Sequence, residues 1–206
     1  MRDLFENDFI TFLNTRKPAA PQFVGTPSLI EQVVSDASFD IVDIKSTSLP
    51  ITREVGLGNA TYINSSNKNL HFIDYENIIN QMDDILVRDL KRCDYIVYEE
   101  GGNSCFILNE LSEGSNPANK RSKARSQLSG TLLVLKQIPS IWSRIETCSQ
   151  KQCIFSNRES SVVIPMNMAS PFLEINNLLP DPIPLNAGQI TNNGFEALET
   201  SKIEIR

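Results

Sequence analysis

Residues 94–111, with the sequence DYIVYEEGGNSCFILNEL, predict a β-hairpin, because two β-rich stretches flank a Gly-Gly-Asn turn. A three-residue loop of this kind pairs Glu100 with Ser104. Counting back along both strands then puts Asp94 directly opposite Glu110. Cross-strand partners have Cβ atoms roughly 5 Å apart on one face of the sheet. The hairpin therefore predicts two neighbouring carboxylates.

Three apolar side chains share the face of these two acids, namely those of Ile96, Phe106 and Leu108. Two like charges beside an apolar surface repel each other unless a cation or a shared proton lies between them. A bound divalent metal is the natural explanation for both acids. Two alternatives remain: a solvated sheet end where each acid pairs with a cation such as Arg92, or a two-residue turn that pairs Asp94 with Asn109.

The composition is that of an ordinary globular protein, with 206 residues, a net charge of −6 and a pI near 4.9. The length predicts one domain over residues 1–206, with a core at about 70–160, a helical extension at about 1–35 and an irregular or strand extension at about 160–206. The acidity argues against coating nucleic acid by bulk charge, although an enzyme needs only a local basic surface.

The sequence predicts a cytoplasmic protein with no membrane partner. No apolar run reaches the roughly 18 residues that a membrane span needs. The first residues carry acids within an apolar stretch, which is a poor signal peptide. The four cysteines match no zinc spacing, so reduced thiols are expected.

Periodicity predicts helices on both sides of the hairpin. An apolar stripe favours a helix at the start of the chain, and a second stripe favours one over residues 77–90. Ser28 and Glu31 have capping-box spacing, which predicts a short helix over residues 29–34. A β-rich C-terminal stretch over residues 202–206 predicts a terminal strand.

A long helix is expected from about Lys120, with a break at Pro139, and a short buried strand follows at residues 152–156. A helix that joins two such strands favours their parallel placement through a right-handed crossover. The predicted fold class is therefore α/β, with a mixed central sheet flanked by helices.

The order helix, hairpin, long helix, strand resembles the core of the PD-(D/E)xK nuclease superfamily, the restriction-endonuclease-like fold. The resemblance covers about 80 residues. It places Asp94 at the family's first acid, Glu110 at its second acid, and Gln127 at a helix position that some branches use. It implies a Mg²⁺- or Mn²⁺-dependent nuclease in which Asp94 and Glu110 hold the metal. DNA is the expected nucleic acid, and genome defence or DNA processing is the setting that such a fold often implies.

The sequence departs from the family at the lysine two residues after the second acid, where Ser112 stands. In the family, that lysine helps to position or activate the attacking water. Three interpretations stay open: Lys123 or Lys120 substitutes for it, Ser112 suffices with the metal, or the site has lost its chemistry. Lys123 and Gln127 join the two acids as candidate catalytic residues.

A basic cluster follows the acid pair, at the expected start of the long helix. Helix N-termini already favour phosphate, and four cations within six residues add an electrostatic foothold. A solvated helix face is the simpler interpretation. The candidate nucleic-acid-binding residues are Lys120, Arg121, Lys123 and Arg125.

Two functions from different classes follow. The first is a metal-dependent nuclease that hydrolyses phosphodiester bonds. The second is a non-catalytic subunit on the same fold, whose partner is another protein or a second copy of this chain. Metal binding at the acid pair distinguishes them.

Overall fold

The computed structural model describes most of the chain, which forms strands in two sheets together with several helices. The described residues are 1–15, 28–42, 51–52, 55–56, 58–81, 90–101, 103–113, 117–158 and 182–206. Within them lie strands β1 (Glu31–Val34), β2 (Ser38–Ile41), β3 (Ile51–Thr52), β4 (Ala60–Ile63), β5 (Leu70–Asp74), β6 (Tyr95–Glu99), β7 (Cys105–Glu113), β8 (Gln150–Arg158), β9 (Ile183–Pro184), β10 (Glu196–Glu199) and β11 (Lys202–Glu204).

The helices lie mainly on one side of the large sheet. Helix α1 is continuous from Arg2–Leu4 through a π-helical stretch, Phe5–Phe9, to Ile10–Thr15. Its buried side chains confirm the apolar stripe expected at the start of the chain. The others within the described ranges are α2 (Tyr75–Asn80), α3 (Pro117–Lys136), α4 (Pro139–Glu146) and α5 (Gly188–Thr191).

The large sheet, as far as the chain is described, has seven strands in the order β1-β5-β6-β7-β8-β10-β9. Strands β5, β6 and β7 are antiparallel neighbours, whereas β8 lies parallel to β7. Helix α3 makes the connection between β7 and β8, as the sequence predicts, and the chain turns into α4 at Pro139. The α/β class with a mixed sheet flanked by helices is therefore observed.

The hairpin has the register that the three-residue loop predicts. Tyr95 pairs with Asn109 and Tyr98 with Phe106, so the next step along the ladder puts Asp94 opposite Glu110. The alternative two-residue turn, which pairs Asp94 with Asn109, is excluded. A positive φ of 69° at Gly101 meets the turn's conformational need.

The two faces of the large sheet bury two separate apolar cores. One face packs against the helices and includes Ile96, Phe106 and Leu108, the three residues expected beside the acids. The other face packs against a second sheet, whose described strands have the order β11-β4-β2-β3. The C-terminal stretch supplies β11, which confirms the strand predicted there, while β10 extends the large sheet beside β8.

The short helix expected over residues 29–34 is wrong, because Glu31–Val34 form strand β1 at the edge of the large sheet. A helix of six residues is too short to be stable alone, and Val33 and Val34 are β-branched residues that favour a strand. Glu31 does not cap a helix. Its carboxylate instead contacts His71 and Tyr98.

The helix predicted over residues 77–90 begins earlier, at Tyr75, where the side chain of Asp74 accepts a hydrogen bond from the backbone of Asn77. Burial raises the pKa of the Asp74 carboxyl, although this hydrogen bond opposes the shift. The expected helix continues into residues 82–89, which lie outside the described residues. The described part ends at Asn80.

Gly130 marks the closest approach of helix α3 to the segment that leads into the hairpin. A Cβ at this position would lie 2.5 Å from Lys91 Cβ and 2.8 Å from the Lys91 carbonyl oxygen. Backbone atoms yield little, so this contact explains a glycine within a long helix, where it is normally unfavourable by about 1 kcal/mol relative to alanine.

Gly130→Ala is expected to lower the free energy of unfolding by about 1–3 kcal/mol, because the added methyl group must displace the Lys91 backbone. Urea unfolding followed by circular dichroism measures the change. Ser126→Ala, at an exposed position of the same helix, is the matched control and should be neutral or slightly stabilising. Equal stability of Gly130→Ala and the wild type would contradict this close contact.

Candidate active site

The acid pair lies on two interior strands of the large sheet, at the end where β6 begins and β7 leads toward helix α3. Asp94 is held from both sides. Its backbone carbonyl accepts hydrogen bonds from the N–H groups of Tyr75 (2.9 Å) and Glu76 (3.2 Å). Its carboxylate Oδ2 accepts the backbone N–H of Leu111 at 2.6 Å. The first acid is thereby fixed against the strand that carries the second.

Glu110 is more deeply buried than Asp94, with 5% of its surface exposed. A solvated position therefore does not describe Glu110, whereas Asp94 is half-buried. Arg92, the cation considered as a partner, approaches Glu76, with Nε 3.6 Å from Oε1, and donates a hydrogen bond to Asn80 at 2.8 Å.

Burial, together with the charges of both carboxylates, raises the pKa of the Cys93 thiol. Burial is the main cause that raises its pKa well above the ordinary value, a hydrogen bond with Thr131 opposes this, and the charges of Glu110 and Asp94 add to the rise. All four cysteines are free, as the sequence predicts.

Helix α3 is hydrogen-bonded to the two residues that precede Asp94. The side-chain amide of Gln127 donates a hydrogen bond from Nε2 to the Arg92 carbonyl at 2.8 Å. One turn later, Thr131 Oγ1 accepts the backbone N–H of Cys93 at 3.0 Å. Gln127 therefore binds the backbone two residues before Asp94. Its hydrogen bond goes to a carbonyl group and not to a carboxylate.

Ser112, at the position of the expected lysine, is half-buried, and its carbonyl accepts a hydrogen bond from the side chain of Asn59 at 3.2 Å. Lys123 lies on helix α3 one turn before Gln127, and both line the same cleft. Of the two lysines considered as substitutes, Lys123 is therefore the one that the structure places beside Gln127. Lys120 does not line this cleft.

The basic cluster divides over different faces of helix α3. Arg121 forms a two-pronged ion pair with Glu199 of β10, with Nη2 3.2 Å from Oε1 and a second contact from Nε to Oε2. Arg125 donates from Nε to the Arg121 carbonyl at 3.2 Å. Lys123 lies on another face of the helix, where it lines the cleft that it shares with Gln127. The helical period separates residues that are adjacent in sequence.

The cleft has a volume of about 600 Å³ and runs between helix α3 and the segment before the hairpin. Among the described residues that line it, three are cations and one is an acid. Sequence reasoning missed Lys91 and considered Arg92 only as an ion-pair partner of the acids, although a Lys-Arg pair just before Cys93 and Asp94 was a usable signal. Its lining consists of Glu76, Leu90, Lys91, Arg92, Asn119, Ser122, Lys123, Ser126 and Gln127.

A second polar cluster is buried beneath helix α1. Glu31 Oε1 lies 2.6 Å from His71 Nδ1 and accepts the Tyr98 hydroxyl at 2.6 Å, while Oε2 lies 3.3 Å from Arg2 Nε. His71 stacks on the Tyr98 ring, with centroids 4.8 Å apart. The only histidine of the chain is thus a buried, hydrogen-bonded residue, as its place in an apolar stretch favours.

Glu76 is a further acid in the cleft, where it faces Arg92. In the described part of the chain, no group of three or more His, Cys, Asp or Glu side chains is arranged to hold a metal ion. The candidate metal ligands are therefore the two carboxylates of Asp94 and Glu110. Within the same described ranges, no helix combines the length and apolar character that crossing a membrane requires.

Comparison with known proteins gives no relative: no protein-family model, curated protein or solved structure matches this chain.

Proposed function

We propose that this protein is a metal-dependent nuclease that hydrolyses phosphodiester bonds, with Asp94 and Glu110 as its metal-binding acids. The observation that carries the proposal is the hairpin register, which brings two carboxylates together at a largely buried position. Such a pair is costly in a folded protein unless a cation is bound or one proton is shared. Paired carboxylates of this kind are a feature of many functional sites.

The pair fits a divalent cation that prefers oxygen. Mg²⁺ is commonly bound by one or two carboxylates and otherwise keeps water or phosphate ligands, so two acids are a sufficient protein contribution. The Leu111 N–H bond to Asp94 Oδ2 orients that carboxylate, which removes part of the entropy cost of assembling the site. Mn²⁺ has similar ligand preferences and is the alternative cofactor.

The positions of four side chains suggest their roles in the proposed reaction. Asp94 and Glu110 would hold the metal where strands β6 and β7 pair. Lys123, on the facing helix, would attract the substrate phosphate and balance charge that develops on it. Gln127 fixes the backbone that leads into Asp94. A bound Mg²⁺ would supply Lewis-acid activation of the phosphate and of the attacking water.

The order of elements supports a restriction-endonuclease-like core. Helix α2 precedes the β6–β7 hairpin, helix α3 follows it, and β8 returns parallel to β7. Ser112 remains the departure from that pattern, and it favours the second candidate, a non-catalytic subunit that binds a protein partner or another copy of the chain.

The experiment is cleavage of supercoiled plasmid and of a labelled single-stranded oligonucleotide, with Mg²⁺, Mn²⁺ or EDTA. Cleavage that needs the metal supports the nuclease. Mn²⁺ binding is measured in parallel by calorimetry. A folded protein that neither cleaves these substrates nor binds Mn²⁺ would contradict the proposal and favour the subunit.

A further inference from the structure

The cleft between helix α3 and the segment before the hairpin has two features that together indicate the kind of ligand it binds. Its lining includes Arg92, two residues before Asp94, but neither Asp94 nor Glu110. Lys91 and Lys123 approach it from opposite sides, and neither forms an ion pair with a carboxylate among the described residues. Arg92 adds a third positive charge, and Glu76 partly offsets it. The cleft is therefore net positive in a protein whose net charge is −6, which favours an anionic ligand.

Gln127 supplies the second feature, an unused hydrogen-bond acceptor. Its Nε2 donates to the Arg92 carbonyl, and this bond fixes which end of the amide is the oxygen. Oε1 is buried and accepts no hydrogen bond from the part of the chain that the structure describes. The residue is 9% exposed and lines the cleft. A buried acceptor left unmatched costs free energy, which a ligand N–H donor would recover.

We infer that this cleft binds one unpaired nucleotide of a nucleic-acid strand, with its phosphate at Lys91 and Lys123 and an N–H group of its base at Gln127 Oε1. All the common bases carry an N–H donor on the edge that pairing occupies. A base stacked in a duplex cannot reach an amide that is nine-tenths buried in a cleft, so the nucleotide must be single-stranded or flipped. A volume of about 600 Å³ lies in the range of small-ligand sites.

The inference rests on the proposed function, because it takes the bound strand to be the strand that the acid pair cleaves. It adds to that function the prediction that the bound nucleic acid is unpaired where it enters the cleft. Binding in EDTA tests the cleft without the metal, so its failure is distinguishable from failure of the acid pair.

The experiment is fluorescence anisotropy with a labelled single strand of about 20 nucleotides and its duplex, in EDTA and at about 0.1 M salt. The single strand is expected to bind at least tenfold more tightly than the duplex. Lys91→Gln combined with Lys123→Gln should weaken binding roughly 10- to 30-fold and reduce the salt dependence by more than one ion. The matched control pairs Lys136→Gln with Lys202→Gln, which removes two exposed charges outside the cleft and should change binding less than twofold.

A strand with abasic residues keeps every phosphate but lacks the base donor, so the wild-type protein should bind it about fivefold more weakly. This arm needs no variant and is independent of folding. Equal affinity for single strand, duplex and abasic strand would overturn the inference, as would a lysine double variant that binds like its control. Strand binding without any cleavage would instead contradict the proposed function and leave the cleft in place.

Discussion

Asp94→Asn and Glu110→Gln are each expected to reduce metal-dependent cleavage by about 10³-fold. Each change removes one of the two proposed carboxylate ligands while keeping the shape of the side chain. Losing about 4 kcal/mol of charge stabilisation in the transition state corresponds to three decades in rate. The amide that replaces the Asp94 carboxylate retains an oxygen that can accept the Leu111 N–H, so the local structure should persist.

Single-turnover cleavage in Mn²⁺ measures this effect, and the exposed Glu204→Gln is the matched control that should leave the rate unchanged. Stability supplies an independent readout. Mg²⁺ at ten times its Kd should stabilise the wild type by about 1.4 kcal/mol and neither acid variant. In EDTA, both variants should be at least as stable as the wild type, because each removes the repulsion between the acids. Wild-type rates in both variants would contradict the assignment of the acid pair.

Glu31→Ala is expected to lower the free energy of unfolding by about 3 kcal/mol. The carboxylate accepts from two buried groups, His71 Nδ1 and the Tyr98 hydroxyl, and it faces Arg2. Removing it leaves both buried groups without their acceptor, which costs far more than the loss of one exposed bond. Burial is the main cause that raises the pKa of Tyr98, and its bond to Glu31 adds to the rise.

Urea unfolding measures the change, with Glu204→Ala as the exposed control, expected within about 0.5 kcal/mol of the wild type. The variant Tyr98→Phe removes one of the donors. In combination with Glu31→Ala, it should lose at least about 1 kcal/mol less than the two single effects added together, because the same hydrogen bond is broken in both. Additive effects would mean that Glu31 and Tyr98 do not act together.

Local sequence predicted the central hairpin and its register because a short turn fixes pairing over the whole length of both strands. The same reasoning failed at Ser28 and Glu31. There the capping-box spacing was real, but pairing with β5 and the needs of buried His71 and Tyr98 decided the outcome. Contacts made 40 and 67 residues away leave no trace in a local pattern.

Some residues of the candidate site were predictable from local sequence and others were not. The acids Asp94 and Glu110 could be found because the hairpin alone brings them together. The contribution of Lys91 could not, because it depends on how closely helix α3 packs at Gly130. The basic cluster on that helix was visible as composition, yet its pairing of Arg121 with Glu199 required the position of β10 in the sheet.

Elements with local causes were predictable from the residues alone: the apolar stripe of helix α1, the turn of the hairpin, the helix break at Pro139 and the pairing of the two acids. The side of helix α3 that faces the hairpin was not, and it sets which cations line the cleft and that Gln127 has an unused acceptor. The difference lies in how far along the chain each cause acts. Turn geometry and periodicity act over a few residues, whereas burial and hydrogen-bond satisfaction are set by neighbours distant in the chain.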